Sequence, residues 1–138
     1  MVSLHREEIA VKTAAQMITE ALSQIEQVTP AAAADERAAG RVVMVDVREP
    51  VEWEHHIAGA VQVPRGLPEF VADSTSPRHN AELEPTARVI VYCHSGTRAA
   101  LAAKTLMELG YENVANLTGG FAAWTEAGLP TVKHHDGF

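Results

Sequence analysis

Four short runs of apolar, mostly β-branched residues recur along the chain: "RVVMVDV" (41–47), "AVQVP" (60–64), "RVIVYC" (88–93) and "ENVANL" (112–117). The first and third do not alternate apolar with polar residues. That is the signature of strands covered on both faces of a sheet. Parallel strands need crossover connections, usually helices, and the intervening segments supply them. "TRAALAAKTLMEL" has the Ala and Leu content of a helix and stops at Gly110. Strands alternating with helices predict an α/β fold around a mostly parallel sheet.

The remaining segments fit that frame. Ile9, Met17, Ile18, Leu22 and Ile25 share one side of a helical wheel over residues 5–25, with Ser3 placed to cap. Val28 suits a short strand. Thr29 then Pro30 reads as an N-cap followed by proline in the first helical turn, with Gly40 as the stop. "EPVEWEHH" predicts one or two helical turns, "GLPEFVA" another, and "FAAWTEAG" a short last helix before the tail "LPTVKHHDGF". The polar stretch 73–87, with two prolines, predicts a long surface loop and the most flexible segment.

A chain of 138 residues with 46% hydrophobic content fits one domain with one core, and no repeat or linker divides it. Eleven basic against eighteen acidic residues give a net charge of −7, which argues against nucleic acid as a partner. Glu7 and Glu8 stand where a secretory signal needs its apolar core, and no run approaches the roughly 20 apolar residues of a membrane span. A single cysteine excludes an intrachain disulfide and suits a reducing compartment. A cytoplasmic protein without membrane contact is expected.

That cysteine, Cys93, closes the third run. In open parallel sheets ligands bind beyond the carboxyl ends of the strands. The segment Cys93–His94–Ser95–Gly96–Thr97–Arg98 lies there and runs into a helix. The first amides of a helix lack intrahelical acceptors and its N-terminus carries partial positive charge. Gly96 permits a tight turn and Arg98 supplies a planar cationic fork. Together they form a candidate anion cradle, and a thiol inside it is favoured as the thiolate nucleophile. The alternative is an inert, buried apolar filler.

Five segments now resemble the rhodanese (sulfurtransferase) family, in order: "MVDVREPVEW", "HIAGAVQVP", "VYCHSGTRAALAA", "LMELGYENVANLTGGFAAW" and "WTEAGLP". Together they run over about residues 29 to 130. The resemblance implies a rhodanese-like three-layer α/β sandwich over 29–138, with a five-stranded parallel sheet and helices on both faces. Residues 1–28 would be an extra helical extension packed on the domain. It implies that Cys93 carries a persulfide, taking sulfane sulfur from thiosulfate or a persulfide donor and passing it to a thiol, a protein acceptor or cyanide. The amides of His94, Ser95, Gly96, Thr97 and Arg98 would hold the substrate. Four residues separate Cys93 from Arg98, whereas related phosphatases and arsenate reductases carry one more. The family pattern therefore favours a sulfur substrate.

Asp46 and Arg48 fall at a strand end on the side of the loop. They either touch substrate or form an ion pair that orders this edge, and the pair is the simpler reading. Arg65 follows Pro64 beyond another strand; it extends the anion pocket or lies solvated on the surface. His94 offers an acid, a base or a pocket wall, and the wall is preferred. His55–His56 and His134–His135 are adjacent pairs that diverge on either a strand or a helix, with no zinc-like spacing around them. No metal or cofactor is expected. Gly119–Gly120 reads as a tight turn or close backbone packing, and Trp53 and Trp124 as core or core-edge residues. The first helix covers its own domain or mediates a dimer, so monomer and homodimer stay open. Function divides between a sulfurtransferase, a sulfur-carrying module serving a partner protein, and an arsenate reductase or phosphatase.

Overall fold

A computed structural model describes residues 11–133. Helix α1 (Ala14–Gln24) leads into strand β1 (Glu26–Val28), and α2 (Pro30–Ala39) into β2 (Val43–Asp46). A single 3-10 turn (Pro50–Glu52), the short strands β3 (His55–His56) and β4 (Val61–Gln62), and one turn of helix, α3 (Pro68–Val71), follow. The second half is β5 (Val89–Tyr92), α4 (Thr97–Glu108), β6 (Val114–Leu117), α5 (Gly120–Glu126) and β7 (Val132–Lys133).

Five strands pair in the order β1-β6-β5-β2-β4, every pair parallel. β5 lies at the centre, in register with β2 (Val91 opposite Val45) and with β6 (Val91 opposite Asn116). All four of its residues are buried. Because successive side chains point to opposite faces, β5 feeds two cores. Val89 and Val91 pack with Ala21, Ile25, Ala99, Ala103 and Leu106 on the side of α1 and α4. Ile90 and Tyr92 pack with Ala33, Met44, Leu117, Phe121 and Trp124 on the side of α2 and α5. This explains the unbroken apolar run in the sequence.

The local signals acted as their chemistry dictates at several ends. Thr29 accepts a hydrogen bond from the Ala32 amide and Pro30 opens α2, which Gly40 closes. The first helix, however, starts at Ala14. Thr13 caps it with a reciprocal bond to Gln16, and Ser3 and Ile9 lie outside the described residues, as do His134 and His135. α1 packs along α4, so among the described residues it covers its own domain.

Two segments gain detail. "EPVEWEHH" gives one helical turn, of 3-10 type, as expected, but its His55–His56 leave the turn and pair antiparallel with Val132–Lys133 of the tail. Pairing with a segment so distant in sequence overrides a two-residue local preference. The 73–87 stretch has no helix or strand, as expected of a loop, and its own side chains shape its turns. Leu83 is buried, and Asp73, Ser76 and Asn80 accept backbone amides two residues on. Such side-chain turns fix a loop without regular structure.

Candidate active site

Cys93 follows the last residue of β5, the central strand, and is fully buried. Its sulfur accepts two backbone hydrogen bonds, from the Gly96 amide at 3.1 Å and the Ala99 amide at 3.3 Å. Both donors belong to the opening of α4, where no intrahelical acceptor competes. Gly96 caps that helix with φ +106°, a left-handed conformation that side chains with a Cβ rarely take. Among the described residues two main-chain amides converge on Sγ; Gly96 belongs to the expected His94–Arg98 set and Ala99 lies beyond it.

The loop is held open from behind. The Phe121 amide donates to the Cys93 carbonyl at 2.8 Å and the Ala122 amide to the His94 carbonyl at 3.0 Å. In a trans peptide the N–H points opposite to the C=O, so anchoring these carbonyls on α5 turns the His94 and Ser95 amides away from α5. Gly120 makes the approach possible, because a Cβ there would lie 2.5 Å from the Cys93 and His94 carbonyl oxygens. The glycine pair is thus close backbone packing, as expected from the sequence. His94, Ser95 and Thr97 are exposed along the loop.

Arg98 does not present a free fork. Its Nη1 and Nη2 donate to both oxygens of Glu52, at 2.8 and 3.0 Å. The Arg98 hydrogen bonds outweigh burial and hold the Glu52 carboxyl down at about 2, helped by the Glu49 amide. In turn the hydrogen bonds to Glu52 raise Arg98. Sequence reasoning missed Glu52. The glutamate follows Pro50 at the spacing of a first helical turn, a pattern that suggests capping and gives no hint of a partner 46 residues away.

Asp46 and Arg48 form the ion pair, 2.9 Å between Nη2 and Oδ2, with both side chains buried. Arg48 also donates to the His55 carbonyl and lies over the Phe121 ring, 4.3 Å from its centroid. It braces the same Phe121 whose amide anchors Cys93. Burial raises the neighbouring Tyr92 phenol, whose oxygen accepts from the Ile57 amide. Trp124 is fully buried and Trp53 half-buried. Arg65 sits 4.0 Å from Glu69 and lines a cavity with Lys12, Met17, Leu101 and Lys104, on the flank of α4. No residue of the 93–98 loop lines that cavity.

The sequence profile of the Rhodanese-like domain matches residues 29–127. The chain belongs to the rhodanese-like family. Beyond the profile, the domain is similar to a sulfurtransferase of Allochromatium vinosum, 38% identical over 92 residues that cover 66% of this chain and 78% of that protein. A putative sulfur carrier protein of Bacillus subtilis is 36% identical over 83 residues, 59% of this chain and 40% of that one. In some curated relatives the rhodanese-like chain spans as little as 26% of the length. A solved Rhodopseudomonas palustris protein of unknown function, described as a possible tyrosine phosphatase, superposes with a TM-score of 0.81 at 36% identity. That match covers 91% of this chain and 98% of the other. No helix among the described residues is long and apolar enough to cross a membrane.

Proposed function

We propose that this rhodanese-like domain transfers a sulfane sulfur from thiosulfate or a persulfide donor to a thiol or cyanide acceptor, through a persulfide on Cys93. The convergence of the Gly96 and Ala99 amides on Sγ carries this reading. The Cys93 thiolate attacks the outer sulfur of thiosulfate. The S–S bond breaks and sulfite leaves with the electron pair. The persulfide places its terminal sulfur about 2 Å beyond Sγ, within the loop lined by His94, Ser95, Gly96, Thr97 and Arg98. An acceptor thiolate or cyanide attacks that terminal sulfur, and the Cys93 thiolate departs with its electrons restored. No net oxidant or reductant is consumed, and the two half-reactions follow ping-pong kinetics.

Because Glu52 occupies the Arg98 fork, the donor anion is held chiefly by the α4 amides and helix terminus. His94 serves as a pocket wall. Asp46 and Arg48 act on the loop through Phe121, and Arg65 stands apart on the α4 flank. Thiosulfate with cyanide should yield thiocyanate, and Cys93→Ser should abolish it. Turnover of an aryl phosphate by the purified protein, without thiocyanate formation, would overturn the assignment. The name of the Bacillus relative favours a second reading, a carrier for a partner protein. Its sign would be sulfur uptake from a protein persulfide with no turnover of small donors.

A further inference from the structure

The catalytic loop is supported unequally on its two flanks. On one side α5 anchors two carbonyls. On the other, a cavity of about 300 Å³ lies against Ser95 and Gly96, bounded by Leu22, Gln27, Asn116 and Gly119. Besides the Gly119 amide and the Leu117 carbonyl, one side chain, that of Asn116, reaches across to Gly96 on this flank. Asn116 is 1% exposed, and its Nδ2 lies 3.6 Å from where a Cβ on residue 96 would stand. Nδ2 donates to Gln27 Oε1 at 3.0 Å, while Asn116 Oδ1 is buried with no partner. The register places Gln27 directly opposite Asn116, so both side chains rise on one face of the sheet. That face also carries Cys93 and Val114.

We infer that Gln27, on the strand that precedes the family-matched region, is a positioning residue for the cysteine loop, acting through Asn116 on Gly96. The inference rests on the sulfurtransferase reading for its purpose, though its geometry does not. With Oδ1 unpartnered, Gln27 is the one hydrogen bond that sets the orientation of the Asn116 carboxamide. Without it the amide turns into the neighbouring space, and the wall behind Gly96 loosens. The Gly96 N–H then holds Sγ less firmly. The N-terminal extension would in this way take part in the active site as well as covering the domain.

The test compares the wild-type chain with Gln27→Met, Gln27→Ala and Glu26→Gln. Gln27 is exposed, so losing its amide should leave the fold intact. Glu26→Gln is the control: it weakens the Arg88 ion pair one residue away, and successive side chains of a strand point to opposite faces. Amide exchange at Gly96 is followed by NMR, Cys93 alkylation by iodoacetamide across a pH series, and melting in parallel. Both Gln27 variants should speed Gly96 exchange and slow alkylation at neutral pH by about three- to tenfold, the worth of one hydrogen bond. Melting should change little. Glu26→Gln should lower the melting temperature and leave both other readouts unchanged. Unchanged Gly96 exchange in both Gln27 variants, or equal acceleration in Glu26→Gln, would overturn the inference. Neither readout requires sulfur transfer. A wild type that forms no thiocyanate would therefore defeat the functional assignment and leave this inference to its own result.

Discussion

Glu52 and Arg98 show how a residue-scale contact alters the chemistry expected of a motif. The sequence placed a cation beside Cys93, and the structure adds the carboxylate that takes up its fork. The folded Glu52 carboxyl lies at about 2 against an ordinary 4.5. A depressed carboxyl stabilises the fold fully above its unfolded value and loses that contribution as pH falls. Stability should therefore decline between about pH 4.5 and pH 2, and Glu52→Gln should flatten this acid limb in urea titrations. At neutral pH the same variant should cost only roughly 0.5–1 kcal/mol, since the pair is partly solvated. Gly120 makes the opposite case, a position where no side chain fits. Gly120→Ala combines a left-handed backbone, costing roughly 1–2 kcal/mol, with a Cβ pressed on two loop carbonyls. It should fold with a lowered melting temperature and lose most thiocyanate formation.

At the scale of elements, β5 and α4 dominate. β5 is paired on both sides and packed on both faces, and α4 supplies five buried residues. Leu106→Ala should cost about 2–5 kcal/mol in denaturant unfolding, the largest single-residue loss expected on that helix. Arg88 closes the amino end of the sheet. It pairs with Glu26 of β1 and Glu36 of α2, and donates to Asn113 ahead of β6. These elements were the easiest to read, because each run is long enough for its periodicity to exceed local noise. Thr29, Pro30 and Gly40 marked α2 correctly since capping chemistry is local. β3 and β7 escaped notice for the converse reason. Two residues carry no period, and their pairing joins His55 to Lys133 across the whole domain. The 73–87 segment was legible as a loop, but the burial of Leu83 was not, because a lone leucine among polar residues has no pattern.

For the whole molecule, the parallel strand order sets Cys93 at the carboxyl edge of the central strand, where α4 begins. The position of the cysteine, its loop and the Gly96 donor could be read from strand, glycine and helix signals, whereas the Ala99 donor was not among the expected amides. The loop's supports could not be read: Glu52, Phe121 and Gln27 reach the site from elements distant in sequence, and spacing holds no record of such contacts. The central claim is that main-chain donors around Sγ make Cys93 a sulfur acceptor. Intact-protein mass measurement after thiosulfate treatment tests it most directly. Wild-type protein should gain the mass of one sulfur atom, lose it on addition of cyanide or a thiol, and Cys93→Ser should gain none. A wild-type mass unchanged by both thiosulfate and persulfide donors, or a gain that survives in Cys93→Ser, would contradict the account.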